Sequence, residues 1–312
     1  MIAVPSFFAE YQSLVDADLA RMLDPGSGVR GPGPGTRKSQ AASPRPGAQS
    51  PGDRVSRSMA YTVLAPSKRV RPVLTLLSAQ LCGGPPARAI PAAAAIELVH
   101  AASLILDDLP SMDDAPLRRG RKANHLEFGE SIAILAAFAL LNLAYGTLAR
   151  AYDAPLSARL SSLLADAVGT DGLIAGQAAD LLATDQQVTF DGLERIHRGK
   201  TGALFSAAAT SGAILAGAPA DAVASLASYA KNLGLAFQIV DDLLDVEGDP
   251  AETGKAIRED ARKTTFVSFS GVAGARQLAV ELCQTADRAL TPFGRRADRL
   301  RELSAFVAGR SW

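Results

Sequence analysis

Apolar residues recur along this chain at the three-to-four-residue spacing of helices, and runs that alternate apolar with polar positions are scarce. The spacing predicts helices over residues 5–23, 53–64, 69–82, 86–108, 127–151, 155–183, 189–198, 201–216, 219–246, 260–270, 274–290 and 294–309. Ser157 and Asp221 stand near two of the starts and are candidate N-caps. Gly and Pro punctuate the intervals, as in "CGGPP" at 82–86 and "AGAP" at 216–219. The pattern predicts an all-α fold with no sheet.

Two segments depart from the amphipathic pattern. Residues 25–52 are Pro-, Gly-, Ser- and Ala-rich, contain no acidic residue and offer little to a core. They predict a flexible, weakly basic insertion between the first helix and the body. Residues 131–149, "SIAILAAFALLNLAYGTLA", have the length and apolarity of a membrane span. Their Ala richness, Asn142, Thr147 and the lack of an asymmetric basic flank favour a central helix buried on all sides.

Composition narrows the picture. The 312 residues fit one large domain or two ordinary ones, and 48% hydrophobic content allows a sizeable core. Lys plus Arg (32) balances Asp plus Glu (32), so no overall field draws the chain to nucleic acid or an anionic membrane. Cys82 and Cys283 form no CxxC pattern, so neither a disulfide framework nor a zinc site is expected, and a reducing cytoplasm is the default. The N-terminus lacks the basic and apolar regions of a signal peptide.

The candidate chemistry lies in two acidic clusters. "LILDDLPSMDDAPLRRG" (104–120) carries Asp107, Asp108, Asp113 and Asp114 after an apolar run, then Arg118 and Arg119. Pro110 disfavours continuing the helix, so Asp107 and Asp108 close it while Asp113 and Asp114 return from an irregular turn. "FQIVDDLLDVEGD" (237–249) places Asp241 and Asp245 on one helix face with Asp242 beside them. Like charges so close repel unless a cation sits among them, and Mg²⁺ suits carboxylates combined with substrate phosphates. Alone, one DDxxD is equally a solvated acidic edge. Two such clusters, both at the ends of apolar helices, read as facing walls of one pocket. Lys68, Arg69 and Arg71 in "APSKRVRP", Lys200 in "RGKTGALF", Lys255 and Lys263 add cations, and together they suggest a diphosphate substrate.

"KRVRP", "ELVHAASLILDDLPSMDDAPLRRG", "NHLEFGE", "GQAADL", "KTGALF", "FQIVDDLLDV" and "GKAIREDARKTT" occur in that order, from about Ala60 to about Gly271. In these pieces the chain resembles the trans-isoprenyl diphosphate synthases, the polyprenyl synthetase family. Within it, it is most similar to the bacterial geranylgeranyl diphosphate synthases of carotenoid pathways. The resemblance implies a single isoprenoid-synthase-type helical bundle around a deep central cavity, spanning 1–312, in a cytoplasmic homodimer without a membrane span. It implies Mg²⁺, three ions with substrate bound, held by Asp107, Asp108, Asp113, Asp241, Asp242 and Asp245. It gives Arg118 to the allylic diphosphate, and Arg119, Lys68, Arg71 and His100 to isopentenyl diphosphate. Lys200, Thr201, Gln238, Lys255 and Lys263 would line the allylic site. His125 and His197 are read as structural.

The reaction implied ionises an allylic C–O bond, and no covalent nucleophile is needed. The residues four and five before Asp107, Ser103 and Ala102, are small, and the first motif holds two extra residues (DDxxxxD). Both features resemble the C20-forming type, with Phe128, Phe138 and Leu141 as candidate cavity floors. A C15 or longer-chain (C25 and beyond) synthase, or a poorly active regulatory subunit, stays open as an alternative. One departure stands out: the family has two glycines before the Lys of "KRVRP", and this chain has Pro66 and Ser67.

Overall fold

The computed structural model describes residues 5–24, 51–184, 186–247 and 264–309. Helices dominate: α1 (Ser6–Leu23), α2 (Pro51–Val63), α3 (Val70–Leu81), α4 (Pro86–Asp107), α5 (Asn124–Phe128), α6 (Glu130–Ala151) and α7 (Ala154–Val168) come first. α8 (Leu173–Ala183), α9 (Phe190–His197), α10 (Ala203–Leu215), α11 (Ala220–Glu247), α12 (Phe266–Ala289) and α13 (Asp298–Gly309) follow. The all-α expectation is met, apart from a two-stranded antiparallel hairpin, β1 (Leu117–Arg118) and β2 (Arg121–Lys122).

Several predicted boundaries shift, each for a local reason. The segment 155–183 is two helices, because Gly169–Gly172 forms a turn between α7 and α8. Residues 127–151 divide at Gly129, whose φ of 88° no helix accommodates. The helices predicted at 260–270 and 274–290 are the single α12, bent at Gly271, and residues 260–263 lie outside the described residues. The predicted 294–309 begins with a 3₁₀ stretch, Thr291–Ala297. Ser157 is not a cap, since α7 starts three residues earlier and Asp153 accepts the Leu156 N–H at 3.0 Å. Asp221 sits inside the first turn of α11 rather than before it. Of the predicted insertion at 25–52, residues 25–50 lie outside the described residues, and Pro51 and Gly52 already belong to α2.

The main core gathers residues from α1, α3, α4, α6, α10, α11 and α13, with Val15, Leu19, Leu74, Leu98, Leu140 and Phe205 fully buried. α4 contains Pro91, and the hydroxyl of Tyr152 repairs the break there. It accepts from Ala92 N at 3.2 Å and donates to Arg88 O at 2.9 Å. α6 is not buried on all sides as expected. Ala133, Ala136, Ala137, Leu140 and Ala144 face the core, while Ile134, Leu135 and Phe138 (64% exposed) form an apolar outer stripe. Phe138 therefore points away from any cavity of its own chain. α4 and α6 are both long and apolar enough to cross a membrane by length and composition, and α4 is a mostly buried core helix.

Arg69 ties four of these helices together. Its guanidinium pairs with Glu97 of α4 at 2.6 Å and Asp16 of α1 at 2.8 Å, and donates to the α2 carbonyl of Val63 at 2.5 Å. Arg69 and Glu97 are both almost wholly buried. Arg69 thus faces inward and leaves its neighbours Lys68 and Arg71 for the site.

Candidate active site

α4 ends where Pro110 stops it, and the chain doubles back. The Asp113 N–H donates to the Asp107 carbonyl at 3.0 Å, and Asp114 N to Leu109 O at 3.1 Å. This return brings Asp113 beside Asp107, as the sequence suggests. The hairpin that follows turns through Arg119 and Gly120, both at positive φ (53° and 72°), the signature of a two-residue type I′ turn. Asn124 pins the hairpin to α2. Its amide donates to Ser58 O (3.0 Å) and Thr62 Oγ1 (2.8 Å), and its oxygen accepts from Ser58 Oγ (2.7 Å).

Arg69, Asp114 and Arg119 are the three non-glycine residues with positive φ among the described residues. All three belong to the segments that carry the predicted site. Left-handed backbone costs an ordinary residue about 1–3 kcal/mol, and it concentrates where surrounding structure enforces it for function.

The two acidic motifs share one design. In each, the middle carboxylate is turned inward and already engaged. Asp108, 2% exposed, receives both Nε and Nη2 of Arg118, with Nε at 2.9 Å from Oδ1. Burial pushes its carboxyl above the ordinary carboxylate range, Arg118 opposes this, and Asp107 adds repulsion. Asp242, also buried, accepts from Gln238 Nε2 and from the Phe266 N–H at the start of α12, both at 3.0 Å. Asp107, Asp113, Asp241 and Asp245 are intermediate in exposure, and Asp107 is itself engaged by Gln177 and Lys200. The sequence reading puts all six among the metal ligands; within the protein Asp108 and Asp242 also carry these hydrogen bonds.

The two walls meet through one turn of π-helix, Arg198–Gly202, between α9 and α10. Such turns are rare and gather at functional sites. Lys200 Nζ reaches Asp180 at 2.7 Å and Asp107 of the first motif at 3.4 Å. Its neighbour Thr201 donates to Gln238 Oε1 at 2.9 Å, and Gln238 is fixed by Asp242 of the second motif. Because its amide must donate to a carboxylate, the Gln238 oxygen faces Thr201. Thr201 donates its hydroxyl proton there. Gly176 permits the arrangement: a Cβ on it would lie 2.0 Å from Lys200 N, so α8 rides directly on the π turn.

That approach delivers two residues to which the sequence reading gave no role. Gln177 donates to Asp107 at 2.5 Å, and Asp180 binds Lys200. Both lie in the quoted segment "GQAADL", and their i, i+3 spacing on one helix face was the available signal.

A cationic corner completes the site. Arg71 and His100 touch at 3.4 Å between Nη1 and Nε2. Burial, then the charges of Arg71, Arg119, Arg118 and Arg69, holds His100 well below the ordinary imidazole value, so it is neutral and accepts from Arg71. Arg119 Nη1 is buried with no hydrogen-bond partner among the described residues. Burial lowers the Arg119 pKa, Glu97 opposes, and Arg69 and Arg118 add repulsion. A guanidinium stays charged even so. Lys68 is half-buried, after a loop braced by Gln12, which donates to Ser67 O at 2.7 Å. Lys255 and Lys263 lie outside the described residues.

The family model for polyprenyl synthetases matches residues 53–283. The chain belongs to the polyprenyl synthetase family. It is 41% identical over 266 residues to geranylgeranyl pyrophosphate synthase 11, chloroplastic, of Arabidopsis thaliana, covering 82% of this chain and 74% of that one. It is 42% identical over 243 residues to farnesyl diphosphate synthase of Geobacillus stearothermophilus, covering 76% and 82%. The crystal structure of a geranyltransferase from Helicobacter pylori, complexed with magnesium and isoprenyl diphosphate, superposes with a TM-score of 0.78 at 26% identity, covering 99% and 97%. Membership makes the chain a trans-prenyltransferase of isoprenoid biosynthesis acting on isoprenyl diphosphates. Its relatives include both C20 and C15 synthases.

Proposed function

We propose that this prenyltransferase condenses isopentenyl diphosphate with dimethylallyl, geranyl and farnesyl diphosphates to give geranylgeranyl diphosphate. The observation that carries the chain length is Ser103. It lies one turn before Asp107, is half-buried, and spends its hydroxyl on the His100 carbonyl at 2.8 Å. A side chain this small is what a C20 product needs at that position. Ala102 is fully buried in the helix packing, so Ser103 is the residue that sets the depth.

The donor set fits Mg²⁺. Among the described residues no three His, Cys, Asp or Glu side chains form a ready-made metal cage. Mg²⁺ is ordinarily held by one or two carboxylates together with substrate phosphates, and partly exposed carboxylates on two linked walls match that habit. Asp107, Asp113, Asp241 and Asp245 would hold it, and when bound it would neutralise charge on the departing diphosphate. The chain's own residues do the rest. Arg118 and Lys200 receive the allylic diphosphate, while Lys68, Arg71, Arg119 and His100 receive that of isopentenyl diphosphate. As the allylic C–O bond breaks, its electron pair leaves with pyrophosphate, and the oxygens of Thr201 and Gln238 face the carbocation. The isopentenyl π electrons form the new C–C bond, and loss of a proton to pyrophosphate restores a double bond.

Chromatography of the products from labelled isopentenyl diphosphate tests the reading, with C20 expected to dominate. A dominant C15 or C25-plus product overturns it. Ser103→Phe is expected to shift the main product to C15 with the fold intact.

The reading includes one cytoplasmic all-α unit that pairs with a second copy through the outer stripe of α6, where Ile134, Leu135 and Phe138 leave an apolar strip exposed. Sedimentation equilibrium should give a dimer, and Leu135→Lys with Phe138→Glu should give a monomer. A monomeric wild type contradicts the pairing.

A further inference from the structure

We propose that Phe205 is a positioning residue for the isopentenyl substrate: with Phe237 it forms an aromatic seat that aims the Arg71 guanidinium at the diphosphate. The inference rests on the reading above that Arg71 grips that diphosphate. The Arg71 Cζ lies 4.6 Å from the centroid of the Phe205 ring and 5.9 Å from that of Phe237. The two rings are 5.3 Å apart and tilted by 50°. Arg71 is buried and Phe205 wholly so, and desolvation strengthens the attraction of a cation for a ring face. His100 meets the guanidinium from the side. Held over two rings and against an imidazole, the planar fork keeps one orientation. It therefore loses little freedom when it takes a diphosphate.

The seat is built by helix packing. Gly234 of α11 faces Phe205 of α10, and a Cβ on Gly234 would lie 3.2 Å from both Cβ and Cγ of Phe205. The close approach fixes the ring beneath Arg71. Phe205 follows Thr201 by one helical turn, and Phe237 precedes Gln238. The seat and the Thr201–Gln238 pair are therefore neighbours on α10 and α11, held by different contacts.

Phe205→Leu keeps most of the side-chain volume and removes the ring face. It is expected to raise KM for isopentenyl diphosphate roughly five- to tenfold while leaving KM for the allylic substrate unchanged. In an Arg71→Lys background the same change should add less than about twofold, because the seat acts through the guanidinium. A core variant remote from the site, Leu19→Ala, should lose melting temperature without moving either KM. If Phe205→Leu does not yield folded protein, Phe205→Met removes the same ring face at similar volume and carries the same expectation. An unchanged KM for isopentenyl diphosphate, or a full additional loss in the Arg71→Lys background, sinks the seat. If Arg71→Lys alone leaves that KM at the wild-type value, it is the assignment of Arg71 to this diphosphate that falls.

Discussion

Asp241→Ala is expected to lower turnover at least about a hundredfold while leaving melting temperature and helix content close to wild type, the scale seen when one preorganised charge-stabilising group is lost. Asp241 is intermediate in exposure and lies outside the buried residues of α11 that enter the core. Removing it also relieves repulsion with Asp245 one turn on. Asp242→Ala should behave differently. Its carboxylate satisfies both the Gln238 amide and the first N–H of α12, so its loss should cost about 1–3 kcal/mol of stability as well as activity. Thermal melts and single-turnover rates on the two variants separate the roles. Near-normal turnover in Asp241→Ala would falsify its place in the catalytic wall.

The second large effect falls on stability. Arg69→Met is expected to destabilise the protein by about 3–5 kcal/mol, because it strands the buried Glu97 carboxylate without its counter-ion. That is a large share of the total for an ordinary domain, typically about 5–15 kcal/mol. Asp16 tolerates the change, since it is exposed and water replaces its partner. Pairing Arg69→Met with Glu97→Leu should recover most of the loss, because two apolar groups then fill the space of two charges. Urea denaturation with a full double-mutant cycle measures this. A loss below about 1 kcal/mol in the single variant would show that the ion pair is dispensable.

The helices were legible because burial imposes the period that the sequence displays, and the Asp motifs because no ordinary core explains clustered carboxylates at helix ends. What escaped was set by backbone meeting backbone. The turn between α7 and α8 is marked by Gly169 and Gly172, yet apolar periodicity runs on through both helices and hides it. The π turn at 198–202 differs from an α-turn by one residue of hydrogen-bond register, which composition does not encode. Gln177 and Asp180 become site residues only because Gly176 lets α8 touch that turn. Glu97 stands in the middle of an Ala-rich helix, but its partner lies 28 positions away in sequence. The inward carboxylates of Asp108 and Asp242 were likewise indistinguishable from their neighbours until the fold gave each a side.

Arg119 carries a last consequence. Its buried Nη1 has no hydrogen-bond partner among the described residues, and a diphosphate bound at this corner of the folded chain would strengthen the whole chain by mass action. In a cell the starved enzyme would be the one that opens and is degraded, while the supplied one persists. Precursor abundance would then regulate how much enzyme survives, without a separate regulatory site.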